Sequence, residues 1–365
     1  WLALIEAAGH VCYRYRLAAF RSHLVAQGIE IEPRPLARGS WAQWRQFADL
    51  GNYDGVIVQR RLLSWVSLAR LRREARAVLF DFDDAVYQRD SYARKGPRSV
   101  RRLFRFWATL YFADGVIAGN HYLAGRAADW VGPEKVTRIP TCVEPLDYPS
   151  AHHRGRGTDV RMVWIGQRST LPSLEQAGDA LAAAAGASPG IKLRVVSDCF
   201  PQLPGVDVER RTWDQTSEVR DLATGDIGVS WLPDDAWSRG KCGLKVLQYM
   251  AAGLPVVANP IGMHNELIAH GRTGYLAQTP AEWADAIRRL AGDPQQRAKL
   301  GAAGRERVER EYSVVRWGAE LAAALRRASR AAVTNALPPD DEAHRDPPRG
   351  PHLRPARHPS DEVTA

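Results

Sequence analysis

Lys241, Lys245 and Gln248 interrupt an otherwise apolar stretch, GKCGLKVLQYMAAGLPVVANP at 240–260. Intervals of four and three residues place all three on one stripe of an α-helix turning roughly 100° per residue. Leu244, Val246, Leu247, Tyr249, Met250 and Ala251 make up the rest of the helix, so burial inside a domain is expected. A cationic stripe there has two uses. Either the ammonium groups meet an anion such as phosphate, aided by the backbone N–H groups of Cys242, Gly243 and Leu244 at the helix start, or both side chains run along the core and release their charges to water. Gly243 lets backbone approach closely, and Gly253 supplies the stop before the short strand LPVVA.

The elements that must position this helix follow an alternating order. WLALIEA, IEIEPRPL, DGVIVQ (54–59), RAVLFDF (76–82) and DGVIAGN (114–120) read as short strands between helical stretches such as RLAAFRSHLVAQG, closed by Gly28. After Pro140 periodicity fades into Pro, Gly and charge, the mark of a linker. A second series follows: VRMVWIG (160–166), a helix around 172–186, IKLRVVS (191–197), VDVERRTW (206–213), a helix around 216–224, DIGVSWL (226–232), then the quoted helix and strand. Strands interleaved with helices of this length imply parallel βαβ units. The fold class predicted is α/β, with two doubly wound, Rossmann-like domains facing across a cleft. The boundaries are 1–145 for the first domain, 146–158 for the linker, 159–332 for the second domain and 333–365 for a disordered tail rich in Pro, Arg, His and Asp. TPAE (279–282) and DPQQ (293–296) signal capped helix starts, and Ser313 can cap a last helix.

Loops at the carboxyl ends of parallel strands bind ligands in such sheets. In the second domain these are GQRST (166–170), SDCF (197–200) and PDDAWSRGKCG (233–243). Gly166, Arg168, Arg239, Lys241 and Lys245 are therefore expected to converge, and four cations around glycine-bearing loops suit a diphosphate. The net charge of +9 favours an acidic partner, whether nucleotide, anionic membrane or nucleic acid. Four scattered cysteines form no C-x-x-C pair or zinc spacing, which fits a reduced, cytoplasmic setting. No run of about eighteen apolar residues is present. G-x-G-x-x-G after a first strand, Walker A, G-x-S-x-G and H-E-x-x-H are all missing, which weakens NAD, P-loop and hydrolase readings.

PDDAWSRGKCGLKVLQYMAAGLPVVANPIGMHNELIAHGRTGYLA, together with EREYS at 309–313, resembles the nucleotide-binding domain of glycosyltransferase family 4 (glycosyl transferases group 1), retaining enzymes of GT-B fold. The resemblance is specific over about 230–315 and diffuse elsewhere. It implies a sugar passed from a nucleotide-diphosphate sugar to a glycan, lipid-linked or other cell-envelope acceptor, with no metal or other cofactor. In the family one glutamate contacts the donor sugar and a second, eight positions on, binds the ribose hydroxyls. Here those positions hold Gly240 and Gln248. Gln248 retains hydrogen-bonding capacity toward ribose, whereas Gly240 offers no side chain. The family's basic pair is reduced to Arg168, so Lys241 and Lys245 take the diphosphate role, and with the resemblance the phosphate reading of the stripe is preferred. A carbohydrate- or nucleotide-binding protein without turnover is the alternative.

Candidate catalytic residues are thus Lys241, Lys245 and Asp84. Candidate donor contacts are Gly166, Arg168, Arg239, Gly240, Cys242, Gly243, Leu244, Gln248 and Glu266, the last in GMHNELI. The first domain is expected to hold the acceptor. LFDFDDAVY (79–87) brings Asp81, Asp83 and Asp84 to the cleft, for sugar hydroxyls or simply to tie loops together. AGHVCYRYR (8–16) offers His10, Arg14 and Arg16. In PRSVRRLFRFWATLYF (97–112), Arg98, Arg101, Arg102 and Arg105 share one helical face and Val100, Leu103, Phe104, Trp107 and Tyr111 the other. That pattern serves a helix packed on the sheet with its arginines in water, or one lying on an anionic bilayer at the inner membrane face. No nucleic-acid-binding module is visible.

Overall fold

The computed structural model describes residues 1–153 and 160–335. The part of the linker at 154–159 and the tail beyond Asn335 lie outside the described residues. Two six-stranded sheets make up the described chain, and every strand pair in both is parallel.

The first sheet contains β1 (Leu2–Ile5), β2 (Glu32–Pro35), β3 (Val56–Gln59), β4 (Val78–Phe82), β5 (Gly115–Ala118) and β6 (Val136–Arg138), in the order β2-β1-β3-β4-β5-β6. Strands buried on both faces read as continuous apolar runs, as VIV and VLF do here. β2, with Pro33 and Pro35 and mostly exposed, sits at the edge, the one place where two missing N–H groups are tolerated. β6 was not among the strands expected from sequence and lies just before the stretch, after Pro140, where periodicity fades.

The second sheet contains β7 (Arg161–Ile165), β8 (Lys192–Ser197), β9 (Asp207–Thr212), β10 (Ile227–Ser230), β11 (Val256–Ala258) and β12 (Gly274–Leu276), in the order β12-β11-β10-β7-β8-β9. One apolar cluster fills each face of each sheet. Trp283, Ile287 and Leu290 are buried as their spacing required, and each aliphatic side chain so buried contributes about 1.5–3 kcal/mol. Thr279 and Glu282 form the reciprocal capping box at the head of the Pro280–Gly292 helix.

Helices depart from expectation more than strands do. The expected first helix is preceded by Val11–Arg16 and broken at Leu17, so His10 to Arg16 are a cap and a helix rather than a loop. The final helix, Val314–Asn335, follows Ser313 as expected but leaves the second domain. Val314, Leu321, Leu325 and Ala328 pack with Ile5, Leu17, Phe20 and Leu79 on the first sheet. Its sequence shows an apolar stripe but not which sheet the stripe covers.

In each sheet the strand order reverses once. The reversal lies between β1 and β3 in the first domain and between β7 and β10 in the second. Carboxyl-end loops diverge at such a point and leave a crevice for ligand.

Candidate functional site

The reversal in the second sheet brings together the turn after β7 and the loop after β10. Gly166 stands where any Cβ would fall 2.3 Å from the Trp164 indole and 2.6 Å from Thr170 Oγ1. Glycine there lets the Arg168–Thr170 turn fold down over Trp164. The helix across this turn spans Leu244–Ala251 and starts at Gly243, whose φ of 69° suits glycine. A Cβ at Gly243 would also meet Leu267 Cδ1 at 2.4 Å. No side chain caps that helix start, so the N–H groups that open it add positive potential to the crevice.

Lys245, in the first turn, stretches its ammonium 3.8 Å over the Trp164 ring and 3.3 Å from Thr170 Oγ1. Burial, and then the charge of Lys241, push its pKa well below that of an ordinary lysine. Lys241 lies before the helix, not on it, so the expected single stripe is split at Gly243. Its ammonium is 3.7 Å from Asp84 Oδ1 of the first domain and 5.4 Å from the centre of the Trp237 ring. Both lysines therefore stand in the interdomain crevice, close enough to repel each other. Gln248 turns elsewhere: its Nε2 donates 3.0 Å to the Tyr15 hydroxyl.

Arg168 and Arg239 do not join them. Arg168 is exposed, with its backbone N–H donating to Asp198 Oδ1 at 2.8 Å. Arg239 pairs at 2.7 Å with Asp234 on the outer side of the 233–243 loop. Arg239 and Glu266 instead line a pocket of about 340 Å³ with Tyr122, Asp234 and Asn265. The expected convergence of four cations thus reduces to two lysines, because the short Ala236–Arg239 helix turns Arg239 outward.

Gly240 meets the first domain directly. A Cβ on it would come within 2.8 Å of Ala85 N and Cβ, so no larger residue fits this closed arrangement. Around it, Asn120 Nδ2 donates to the carbonyls of Arg239 (3.3 Å) and Lys241 (3.1 Å), and Cys242 Sγ to that of Asp83 (3.2 Å). Cys242 is buried there, with its thiol pKa pushed up by burial and then by Asp83.

The carboxylates at the end of β4 are already engaged. Asp81 and Arg16 form a buried bidentate pair, with contacts at 3.0 and 2.5 Å, and Arg16 also donates to the Ile139 carbonyl. Arg16 cannot reach an acceptor, which corrects its expected role. Arg60, a non-glycine residue at φ 58°, lies 3.4 Å from Asp83 and 2.5 Å from Asp84. Among the described residues no group of three or more His, Cys, Asp or Glu side chains could hold a metal ion.

Arg14 also leaves the acceptor side. It pairs at 2.9 Å with buried Glu218 of the second domain, which accepts further from Tyr15 (2.8 Å) and Trp213 Nε1 (2.7 Å). Burial, then Tyr148 and Glu218, raise the Tyr15 pKa. His10 caps its helix by accepting from Cys12 N at 3.3 Å and lies 3.8 Å from Glu6. His264, beneath the Leu244–Ala251 helix, is held neutral with a pKa of about 4, chiefly by burial.

Arg60, Tyr15, Asn120, Trp164, Thr170 and Glu218 were not among the residues singled out from sequence. Arg60 and Asn120 had a signal, since each directly follows or closes a buried strand at its carboxyl end. Glu218 had none, because one acidic residue near a helix start is commonplace.

Residues 220–293 match the family model described as Glycosyl transferases group 1. A D-inositol 3-phosphate glycosyltransferase of Pseudarthrobacter chlorophenolicus is 42 % identical over 69 residues, 18 % of this chain and 16 % of that protein. An alpha-maltose-1-phosphate synthase of Mycolicibacterium smegmatis is 37 % identical over 79 residues, 20 % of each. The matched segment thus spans a fifth or less of these curated relatives. Solved structures align far more broadly. Sucrose-phosphate synthase from Thermosynechococcus elongatus superposes with a TM-score of 0.67 at 20 % identity, covering 89 % of this chain and 98 % of that one. Anabaena HepE in complex with UDP-glucose gives 0.60 at 16 % identity, with the same coverage. The fold is GT-B.

Proposed function

We propose, from the premise that residues 220–293 carry the group 1 glycosyltransferase signature within a GT-B fold, that this chain transfers a sugar from a nucleotide-diphosphate donor to an acceptor. The observation that carries this reading is Lys245: a partly buried cation at an uncapped helix start, beside a second lysine, in the crevice between the domains. A cation so placed is stabilised by an anion that binds there. Breaking the sugar–phosphate bond builds negative charge on the leaving diphosphate, and fixed cations and N–H groups then favour the transition state over the ground state. Removing one such contact typically costs about 3 kcal/mol of barrier.

In this reading Lys245 and the N–H groups of Cys242, Gly243 and Leu244 hold the diphosphate. Lys241 completes the charge, and Asp84 together with Arg60 keeps Lys241 at the mouth. The pocket beside Arg239 and Glu266 is open to the sugar or its acceptor. Transfer proceeds with retention, the departing phosphate taking the acceptor's proton, and the acceptor is a glycan, lipid-linked or other cell-envelope molecule. No metal has a role. Incubation with a panel of UDP- and GDP-sugars, with and without acceptors, tests this through release of the nucleotide. HepE was solved with UDP-glucose, which makes UDP-glucose the first donor to try.

A second reading, a nucleotide- or carbohydrate-binding protein without turnover, is favoured by one observation. Gly240 is packed against Ala85 and Gln248 is held by Tyr15, so neither stands free for a donor as the family's glutamates do. Binding of a nucleotide sugar with no release under any acceptor condition would select it.

A further inference from the structure

The Val100–Phe112 helix buries only part of the apolar face its sequence suggested, Leu103 and Trp107 packing against the core. Phe106, Thr109 and Leu110 point into the core, while Val100, Phe104 and Tyr111 form a stripe at helical spacing on the outside. Trp65 and Val66 open the neighbouring Trp65–Glu74 helix and extend that stripe. These five side chains keep between 43 % and 86 % of their surface exposed. They are ordered together: Trp65 stacks at 6.3 Å on Phe104, 6.0 Å on Trp107 and 6.5 Å on Tyr111. Contiguous exposed aromatic surface of this kind marks an interaction site.

Charge selects the partner. Between 94 and 105 the sequence holds Arg94, Lys95, Arg98, Arg101, Arg102 and Arg105 and no acidic residue. Arg105 has its pKa lowered by burial and then by the cation Arg101 beside it. We infer that the surface formed by Trp65, Val66, Val100, Phe104 and Tyr111 docks the protein on an anionic lipid bilayer, with the aromatic rings in the headgroup layer and the arginines on the phosphates. No described helix is long and apolar enough to cross a membrane, so attachment through this surface is peripheral. In chain order the two helices are the next elements after β3 and β4, whose carboxyl ends lead into Arg60, Asp83 and Asp84. Docking would hold the first domain, and with it the loops that follow β3 and β4, at the membrane, and, resting on the transfer reading above, the acceptor would be one carried by a lipid.

Flotation of the full chain with vesicles tests this directly. Binding is expected to vesicles of phosphatidylcholine and phosphatidylglycerol in equal parts, to be absent with phosphatidylcholine alone, and to weaken as salt rises. Phe104→Ser with Tyr111→Ser should weaken it at least about tenfold. Arg101→Ser with Arg105→Ser should weaken it about fivefold per arginine. Unchanged UDP binding by each variant shows that it is folded. No binding of the wild type to the mixed vesicles overturns the inference, as does undiminished binding of the aromatic variant. Self-association of the wild type in lipid-free buffer, abolished by the aromatic substitutions, also overturns it and assigns the surface to a second copy of the chain. Vesicle binding without binding of any nucleotide sugar would leave the surface standing and sink the transfer reading; the reverse result would do the opposite.

Discussion

At the carboxyl end of β4, Asp81, Asp83 and Asp84 each have a guanidinium beside them, from Arg16 or Arg60, whereas across the cleft Lys245 has only a hydroxyl and an indole face. Both regions lie where a parallel sheet delivers its loops to the interdomain space. The first is compensated chiefly from its own domain, by Arg16 and Arg60, with Lys241 reaching Asp84 from across the cleft. The second holds, at Lys245, positive charge in a partly dry place with no carboxylate paired to it among the described residues. A protein core tolerates the first arrangement without a ligand, while the second is more favourable once an anion arrives. The contrast separates a group that builds the fold from one kept for binding.

The largest test of that contrast strikes the closed side. Arg16→Met should destabilise the protein by about 3–5 kcal/mol in urea titrations, because Asp81 is left buried and unpaired. A loss below about 1 kcal/mol would mean that Asp81 finds water or a proton, and the two sides would no longer differ in kind. On the open side, Lys245→Ala should leave stability within about 1 kcal/mol yet weaken a nucleoside diphosphate by about 1.5–3 kcal/mol, roughly ten- to a hundredfold. Calorimetry with the nucleoside alone should show little change. Equal losses for both ligands would remove the phosphate from Lys245.

Gly240→Glu introduces a carboxylate side chain at the interdomain contact and probes the seam between the regions. The Ala85 contact predicts a loss of about 1–3 kcal/mol in thermal or chemical melts. Unchanged stability would show that the domains part readily at this point. The smallest effect concerns protons. Because the pKa of Lys245 is depressed in the free protein, more of it is uncharged at a given pH than of a solvated lysine. A bound diphosphate raises that pKa, so binding takes up protons and affinity falls as pH rises toward the ordinary lysine value. Binding enthalpies that depend on the ionisation heat of the buffer would report the uptake; identical enthalpies in all buffers would mean Lys245 is charged throughout.

Much of this architecture was legible as pattern. Apolar runs such as VLF and VVA, with helices between them, required parallel sheets, and the Thr279–Glu282 capping box appeared where its residue types demanded. Lys245 was legible too, as a charge inside an apolar helix. Its companions were less so. Lys241 left the stripe because a left-handed Gly243 separates it from the helix, and Arg239 faced outward because Asp234 lies across its own loop. The aromatic stripe of 100–112 was visible, but helical spacing does not say which of two apolar arcs meets the sheet.

The sequence by itself determined the local periods, the caps and the order of strands and helices, because these depend on neighbours within a few residues. Tertiary structure alone decided which charges are spent and which are free. Asp84 meets Lys241, Tyr15 meets Glu218 and Gln248, and Gly240 meets Ala85 across 150 residues or more of chain. Charge compensation acts over a few ångströms of space whatever the distance along the chain, so the contrast between a satisfied carboxylate cluster and a lysine with room for an anion came into being only when the two sheets closed on each other.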